Sequence, residues 1–236
     1  MKYIIAIWEW LIAFLLFIIF LLWFMVVATI WPYDKYVVWI RSFLKTFFKL
    51  LLIRVDVVYE SPINLDDNHI YMPNHVSMFD IPLVLSTIPQ NFWGIQAASH
   101  FKVPLYGWVL KKYGNFPIDR SNARASYKTM MNTVDEIKKG KSILIFPEGT
   151  RSTKPSMGSF KKLPFVMVKK ANVPIIPMAF IGLWEINNKT SWLIKPQRLK
   201  VVFGKEIDRE TIESLNEEEL KRLTKERIED LIKSFS

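Results

Sequence analysis

The segment from Trp10 to Trp31, WLIAFLLFIIFLLWFMVVATIW, contains no ionisable side chain. A chain carrying such a run must bury it in a bilayer or pack it against protein. As a helix it places its terminal tryptophans roughly 31 Å apart, close to the ~30 Å of bilayer hydrocarbon, and tryptophan favours both interfaces. The expectation is a hydrophobic helix over about 3–31 that crosses the membrane. A cleaved signal peptide fits less well: Lys2 alone forms the basic leader, the apolar run is long, and no small-x-small cleavage site stands clear of bulky residues. A hairpin dipping into one leaflet is equally compatible with the residues.

After Pro32 and Asp34, a second apolar stretch over about 36–52 carries Arg41, Lys45 and Lys49 at four-residue spacing, one stripe of a helix. With Val37, Val38, Ile40, Phe43, Leu44, Phe47 and Phe48 around it, this predicts a basic amphipathic helix lying at the lipid headgroups. The alternative is a core helix with a solvated edge. Residues 1–53 are therefore expected to anchor the chain to membrane lipids. The positive-inside bias sets Lys35, Arg41, Lys45 and Lys49 against a lone Lys2, placing the domain on the cytoplasmic face of the cell's inner membrane.

Half of the 236 residues are apolar, ample for a core. Cysteine is absent, which excludes disulfides, thiolate metal sites and a cysteine nucleophile. The net charge of +10 is unevenly spread. Residues 1–56 hold six Lys and Arg against three Asp and Glu (+3), 57–204 nineteen against nine (+10), and 205–236 seven against ten (−3). The positive middle segment suits anionic lipid, a phosphorylated substrate or nucleic acid, but the chain has no nucleic-acid-binding motif, so nucleic acid is not an expected partner.

From residue 54 to 236 short apolar runs alternate with helical stretches, predicting an α/β domain with a single mixed sheet flanked by helices. Strands are expected at 55–59, 69–72, 92–97, 142–146, 174–180 and 199–203. Helices are expected at 81–86, 105–113, 122–139, 162–171 and 217–235.

Two loops hold the chemistry. In Asn74-His75-Val76-Ser77-Met78-Phe79-Asp80, Pro73 ends a strand and Pro82 suits the first turn of a helix beginning near Asp80. On one regular helix His75 and Asp80 would point about 140° apart, whereas a loop histidine can fold back onto the carboxylate. Such a pair is a general base and its orienting partner, or else a capping aspartate beside an ordinary loop histidine. In Phe146-Pro147-Glu148-Gly149-Thr150-Arg151-Ser152, a buried-strand pattern ends in a loop where open α/β sheets place ligands. Gly149 admits close approach of an anion, and Arg151 can grip one in a bidentate fork; a surface turn with a Glu148–Arg151 ion pair is the alternative. Between them, Gly114-Asn115-Phe116-Pro117-Ile118-Asp119-Arg120 delivers a second guanidinium. Lys161 and Lys162 precede a further helix and add positive charge, although paired lysines are usually solvated.

At these residues the chain resembles the glycerolipid acyltransferase family, specifically the bacterial 1-acylglycerol-3-phosphate (lysophosphatidic acid) acyltransferases. The likeness rests on four ordered blocks: NHVSMFD (74–80), GNFPIDR (114–120), FPEGTRS (146–152) and VPIIPMA (173–179). It implies that His75 is the base and Asp80 its partner. It implies that Arg120, Glu148, Gly149, Thr150 and Arg151, with Lys161, shape the site for the acceptor phosphate, and that Pro177 belongs to a structural strand. The family often has glycine after its FK(K/R) segment, where this chain has Leu163, and a lysine ahead of the segment corresponding to Pro104–Trp108, where Ala97–Ser99 has none. The implied reaction transfers a fatty acyl group from acyl carrier protein or a coenzyme A thioester to the sn-2 hydroxyl of lysophosphatidic acid. No cofactor or metal is expected beyond that co-substrate. Ser77 beside His75 suggests a rival, a serine nucleophile in a lipid hydrolase, although GxSxG is absent. A non-catalytic adaptor binding anionic lipid is a further alternative.

Overall fold

Runs such as Ile-Tyr-Met-Pro and Ile-Ile-Pro-Met-Ala-Phe-Ile read apolar at every position because both faces of their sheet are covered. The computed structural model describes residues 2–236, excepting the side chains at 2, 5, 33 and 34. In chain order the elements are α1 (Lys2–Ile30), α2 (Tyr33–Leu50), β1 (Arg54–Tyr59), β2 (Ile70–Pro73), α3 (Asp80–Thr87), β3 (Phe92–Ala97), a 3-10 turn (Ala98–Lys102), α4 (Tyr106–Tyr113), β4 (Phe116–Ile118), α5 (Ala123–Lys138), β5 (Ser142–Leu144), α6 (Leu163–Ala171), β6 (Ile175–Ile181), α7 (Leu183–Ile186), β7 (Arg198–Phe203), α8 (Arg209–Ser214) and α9 (Glu217–Phe235).

The strands form one seven-stranded mixed sheet in the order β1-β7-β6-β2-β5-β3-β4. Every neighbouring pair is parallel except β6 and β7. The five strands β6, β2, β5, β3 and β4 therefore end on the same side of the sheet. Pro117, which has no N–H to give a ladder, sits on the edge strand β4. Pro177 lies in β6, and its carbonyl accepts the Gly204 N–H at 2.8 Å.

Side chains alternate between two cores. Tyr71, Ile176, Met178 and Phe180 join Phe79, Leu83 and Val84 on one face, while Ile70, Met72, Ile175 and Ala179 join residues of α5, α6 and α9 on the other. The ends of α9 follow from local chemistry. The Asn216 side chain accepts from the N–H groups of Glu218 and Glu219, and the Glu219 carboxylate returns a bond to Asn216 N–H.

Both N-terminal helices pack against the domain. The apolar face of α2 is turned inward: Phe47, Phe48 and Leu51 belong to the first core, and Ile40 and Leu44 pack with Leu21 and Phe24 of α1. Arg41 leaves the supposed headgroup stripe and donates to the Gln90 carbonyl at 2.7 Å, leaving Lys45 and Lys49 exposed. The helix thus packs one face on protein, while Val38, Trp39 and Leu50 stay exposed on its outer side with Lys45 and Lys49.

The hydrophobic helix α1 lies along the domain from end to end. Tyr3 stacks on Trp192, Trp10 on Phe79, Phe17 meets Tyr106 and Phe24 meets Trp108, all with ring centroids between 6.0 and 6.4 Å apart. The same helix touches the domain near both ends and, over Ala6–Ile30, is long and apolar enough to cross a bilayer. Its outer face stays apolar and exposed, including Ile4, Trp8, Leu11, Phe14 and Leu15.

Candidate active site

Strand β2 ends at Pro73 and delivers Asn74, whose side chain accepts the Phe180 N–H at 2.7 Å and donates to the Phe180 carbonyl at 3.2 Å. That clamp to β6 fixes the start of the turn. His75 then folds back, and its Nδ1 lies 2.5 Å from Asp80 Oδ2 at the first turn of α3. The Asp80 carboxylate is fully buried and also accepts the N–H groups of Val76 (3.0 Å) and Ser77 (3.1 and 3.2 Å). Burial pushes its pKa up, and the hydrogen bonds from the His75 ring and these two amides oppose that rise. A carboxylate oxygen can only accept, so the ring proton of neutral His75 sits on Nδ1 and Nε2 keeps its lone pair. The ring stacks on Phe146 at 4.1 Å between centroids and lines a cavity of about 660 Å³.

The second loop grips the first. The His75 N–H donates to Glu148 Oε1 at 2.7 Å, and the His75 carbonyl accepts the Ser152 N–H at 2.8 Å. The other Glu148 oxygen accepts the Gly158 N–H at 2.7 Å. Burial raises the Glu148 pKa, against the pull of those two amides. Gly149 turns the chain at φ +72°, so that Thr150 and Arg151 line the same cavity as His75. Arg120 reaches it from the end of β4.

Three residues expected to shape the phosphate site do not line the cavity. Glu148 is 3% exposed with both oxygens taken by backbone amides, so it braces the histidine loop instead of facing an anion. Gly149 shapes the turn without lining the cavity, and the side chain of Lys161 is folded over it, 3.4 Å from where a Cβ would stand. Lys161 likewise does not line the cavity. No Glu148–Arg151 ion pair occurs among the described residues.

The bracing role predicts a distinctive kinetic result. In Glu148→Gln one of the two backbone amides faces an amide NH₂, a donor against a donor, at a penalty of about 1–3 kcal/mol. The expected outcome is kcat lowered roughly tenfold or more with the acceptor KM nearly unchanged. A change confined to KM would return Glu148 to the binding site.

The model of the family described as Acyltransferase matches residues 54–181, more than half of the chain. The chain belongs to that family. Among curated relatives of this Acyltransferase-family chain, the chloroplastic 1-acyl-sn-glycerol-3-phosphate acyltransferase LPAT1 of Arabidopsis thaliana is 34% identical over 121 residues, 51% of this chain and 34% of that protein. The 1-acyl-sn-glycerol-3-phosphate acyltransferase of Streptococcus pneumoniae is 29% identical over 157 residues, 66% of this chain and 56% of that one. The match spans about a third of the length of the chloroplastic relatives from Brassica napus and Arabidopsis thaliana. The crystal structure of the 1-acyl-sn-glycerophosphate (LPA) acyltransferase, PlsC, from Thermotoga maritima shares the fold with a TM-score of 0.83, covering 99% of this chain and 97% of that chain at 23% identity.

Two basic cavity residues of this Acyltransferase-family chain lie outside the motifs. His100, on the turn after β3, lines the cavity, and burial first, then the charges of Arg120 and Arg151, hold its pKa below the ordinary histidine value. Lys189, in the loop after α7, lines it too, with Nζ 3.5 Å from Thr150 Oγ1. Both follow the ends of parallel strands, and that position is the one signal that finds them. Ser77 is 1% exposed, and its Oγ donates to Asn187 Oδ1 at 3.1 Å and accepts the Phe79 N–H. It makes no hydrogen bond to His75 among the described residues, so the serine-nucleophile reading loses its activating contact.

Proposed function

We propose that this chain transfers a fatty acyl group from an acyl thioester, of coenzyme A or acyl carrier protein, to the sn-2 hydroxyl of lysophosphatidic acid, giving phosphatidic acid. One observation carries the reading: a single cavity holds the free nitrogen of an Asp-oriented histidine, two arginine side chains, and an apolar chamber walled by Phe17, Phe20, Leu21, Phe24, Ile40 and Leu44. The relatives, named as 1-acyl-sn-glycerol-3-phosphate acyltransferases, support the same reaction.

His75 Nε2 takes the hydroxyl proton as the oxygen attacks the thioester carbonyl. The tetrahedral adduct collapses by breaking the C–S bond, and the thiolate recovers the proton from the imidazolium. Arg120 and Arg151 hold the acceptor phosphate, and fixing both reactants beside the base removes much of the entropic barrier. The thioester is a co-substrate, and acyl transfer needs no metal or other cofactor. The assay is thiol release by purified protein in detergent, offered both donors with lysophosphatidate. Release that depends on the acceptor is expected; release that is absent or acceptor-independent sinks the proposal.

The membrane arrangement follows from α1. Its outer face exposes large apolar side chains along its length, and Met78, Val103, Leu105 and Trp192 of the domain are exposed as well, a surface suited to lipid. We place α1 within one leaflet, with the domain on the cytoplasmic face where Lys45 and Lys49 meet anionic headgroups. In this cysteine-free chain, Tyr3→Cys with Trp192→Cys is expected to be joined by a short bis-maleimide in native membranes. A crossing helix would hold the two sites roughly a bilayer apart and give no product.

A further inference from the structure

We propose that Lys189 is a third cationic ligand of the acceptor headgroup and sets a preference for a phosphate monoester over a phosphodiester, an inference that rests on the acyl-transfer reading above. The loop carrying it is built into the site. Asn187 Oδ1 accepts from Ser77 Oγ in the histidine turn, and Asn187 Nδ2 donates to the carbonyls of Ser191 (3.2 Å) and Leu193 (3.3 Å). Next to it, Asn188 Oδ1 accepts the Thr190 N–H and hydroxyl, and Asn188 Nδ2 donates to the Trp184 carbonyl at 3.0 Å. Two asparagine side chains therefore fix the backbone on either side of Lys189.

Strand β6 runs parallel to β2, so this loop emerges on the edge that carries His75, Arg120 and Arg151. From there the ammonium reaches Thr150, the residue before Arg151. Among the described residues, neither Lys189 nor either arginine has a carboxylate within 4 Å. The two acids buried nearby, Asp80 and Glu148, have their oxygens committed to the His75 ring and to backbone amides. Three cations without a counter-ion in one cavity form a site for a multiply charged anion. A phosphate monoester carries about −1.5 to −2 at pH 7, whereas a diester carries a single charge. The third cation therefore adds more to the affinity for the monoester than to that for the diester.

The test compares wild type, Lys189→Met and Lys189→Arg in detergent, with lysophosphatidate as monoester acceptor and lysophosphatidylglycerol as diester. Lys189→Met is expected to raise the lysophosphatidate KM roughly tenfold, the effect of losing one charge-assisted contact, with kcat and thermal midpoint close to wild type. The monoester-over-diester ratio of kcat/KM should shrink, and Lys189→Arg should restore it. An unchanged KM and an unchanged ratio in an active Lys189→Met enzyme overturn the assignment and leave Lys189 a solvated lysine. Binding of the two lysolipids, measured without donor, separates this from the reaction itself. If wild type transfers no acyl group, a monoester preference that Lys189→Met abolishes still supports Lys189 as a ligand, and equal binding by both proteins overturns it.

Discussion

His75→Ala is expected to lower kcat for acyl transfer by roughly 10³-fold, within the 10²–10⁴ that a positioned general base contributes, while acceptor binding is retained. The residue holds the one ring nitrogen in the cavity whose orientation is set by a buried carboxylate. Substitution removes that nitrogen and leaves the arginines untouched. Its structural cost is bounded: the side chain makes the bond to Asp80 and the stack on Phe146, and Asp80 keeps its two backbone donors. A loss of about 1–3 kcal/mol in stability is therefore expected, small enough to leave a folded protein for the measurement. Lysophosphatidate should bind with nearly the wild-type affinity. Near-normal turnover by a folded His75→Ala enzyme would remove the imidazole from the chemistry and leave the cavity a binding site.

The elements most legible in the sequence are those whose signal is local. The strand at Phe92–Ala97 and the helix at Glu217–Phe235 have the expected bounds, the latter because Asn216 and Glu219 cap it within four residues. The meeting of His75 with Asp80 is local too, five residues apart with Pro73 and Pro82 marking the turn. What depends on distant packing was not legible. An apolar face with a basic stripe describes a helix on lipid and a helix on protein equally well, so α2 needed the positions of α1 and α3. Glu148 stands three residues from Arg151 in the same loop motif, yet its burial and the amides of His75 and Gly158 set its role. His100 and Lys189 belong to the cavity because five parallel strands end together. For α1, composition reports that the helix avoids water, while its stacking on Trp192 and Phe79 reports what it touches.

Asp80→Asn should nearly match the loss caused by His75→Ala, although the imidazole remains in place. The carboxylate accepts the His75 Nδ1 proton and the N–H groups of Val76 and Ser77 on two oxygens. An asparagine has one acceptor oxygen and one NH₂, so one side of it must face donors. If its oxygen stays with the Val76 and Ser77 amides, its NH₂ competes for the ring, the imidazole moves its proton to Nε2, and the nitrogen facing the cavity loses the lone pair that base catalysis requires. If the oxygen keeps the ring, a buried amide is left unsatisfied, at about 1–3 kcal/mol, and the turn that holds His75 loosens. Both arrangements lower kcat, by roughly 10²–10⁴-fold, with the acceptor KM near wild type because Arg120 and Arg151, the proposed phosphate ligands, follow other strands. The variant also removes a carboxyl whose pKa burial raises. A group with a raised folded pKa lends stability at low pH that fades as pH climbs through that pKa, so Asp80→Asn should lose more stability relative to wild type in acid than at neutral pH. A folded Asp80→Asn protein that keeps wild-type kcat would show that the orientation and tautomer of His75 are irrelevant to turnover, and the base would have to be sought among the other cavity residues.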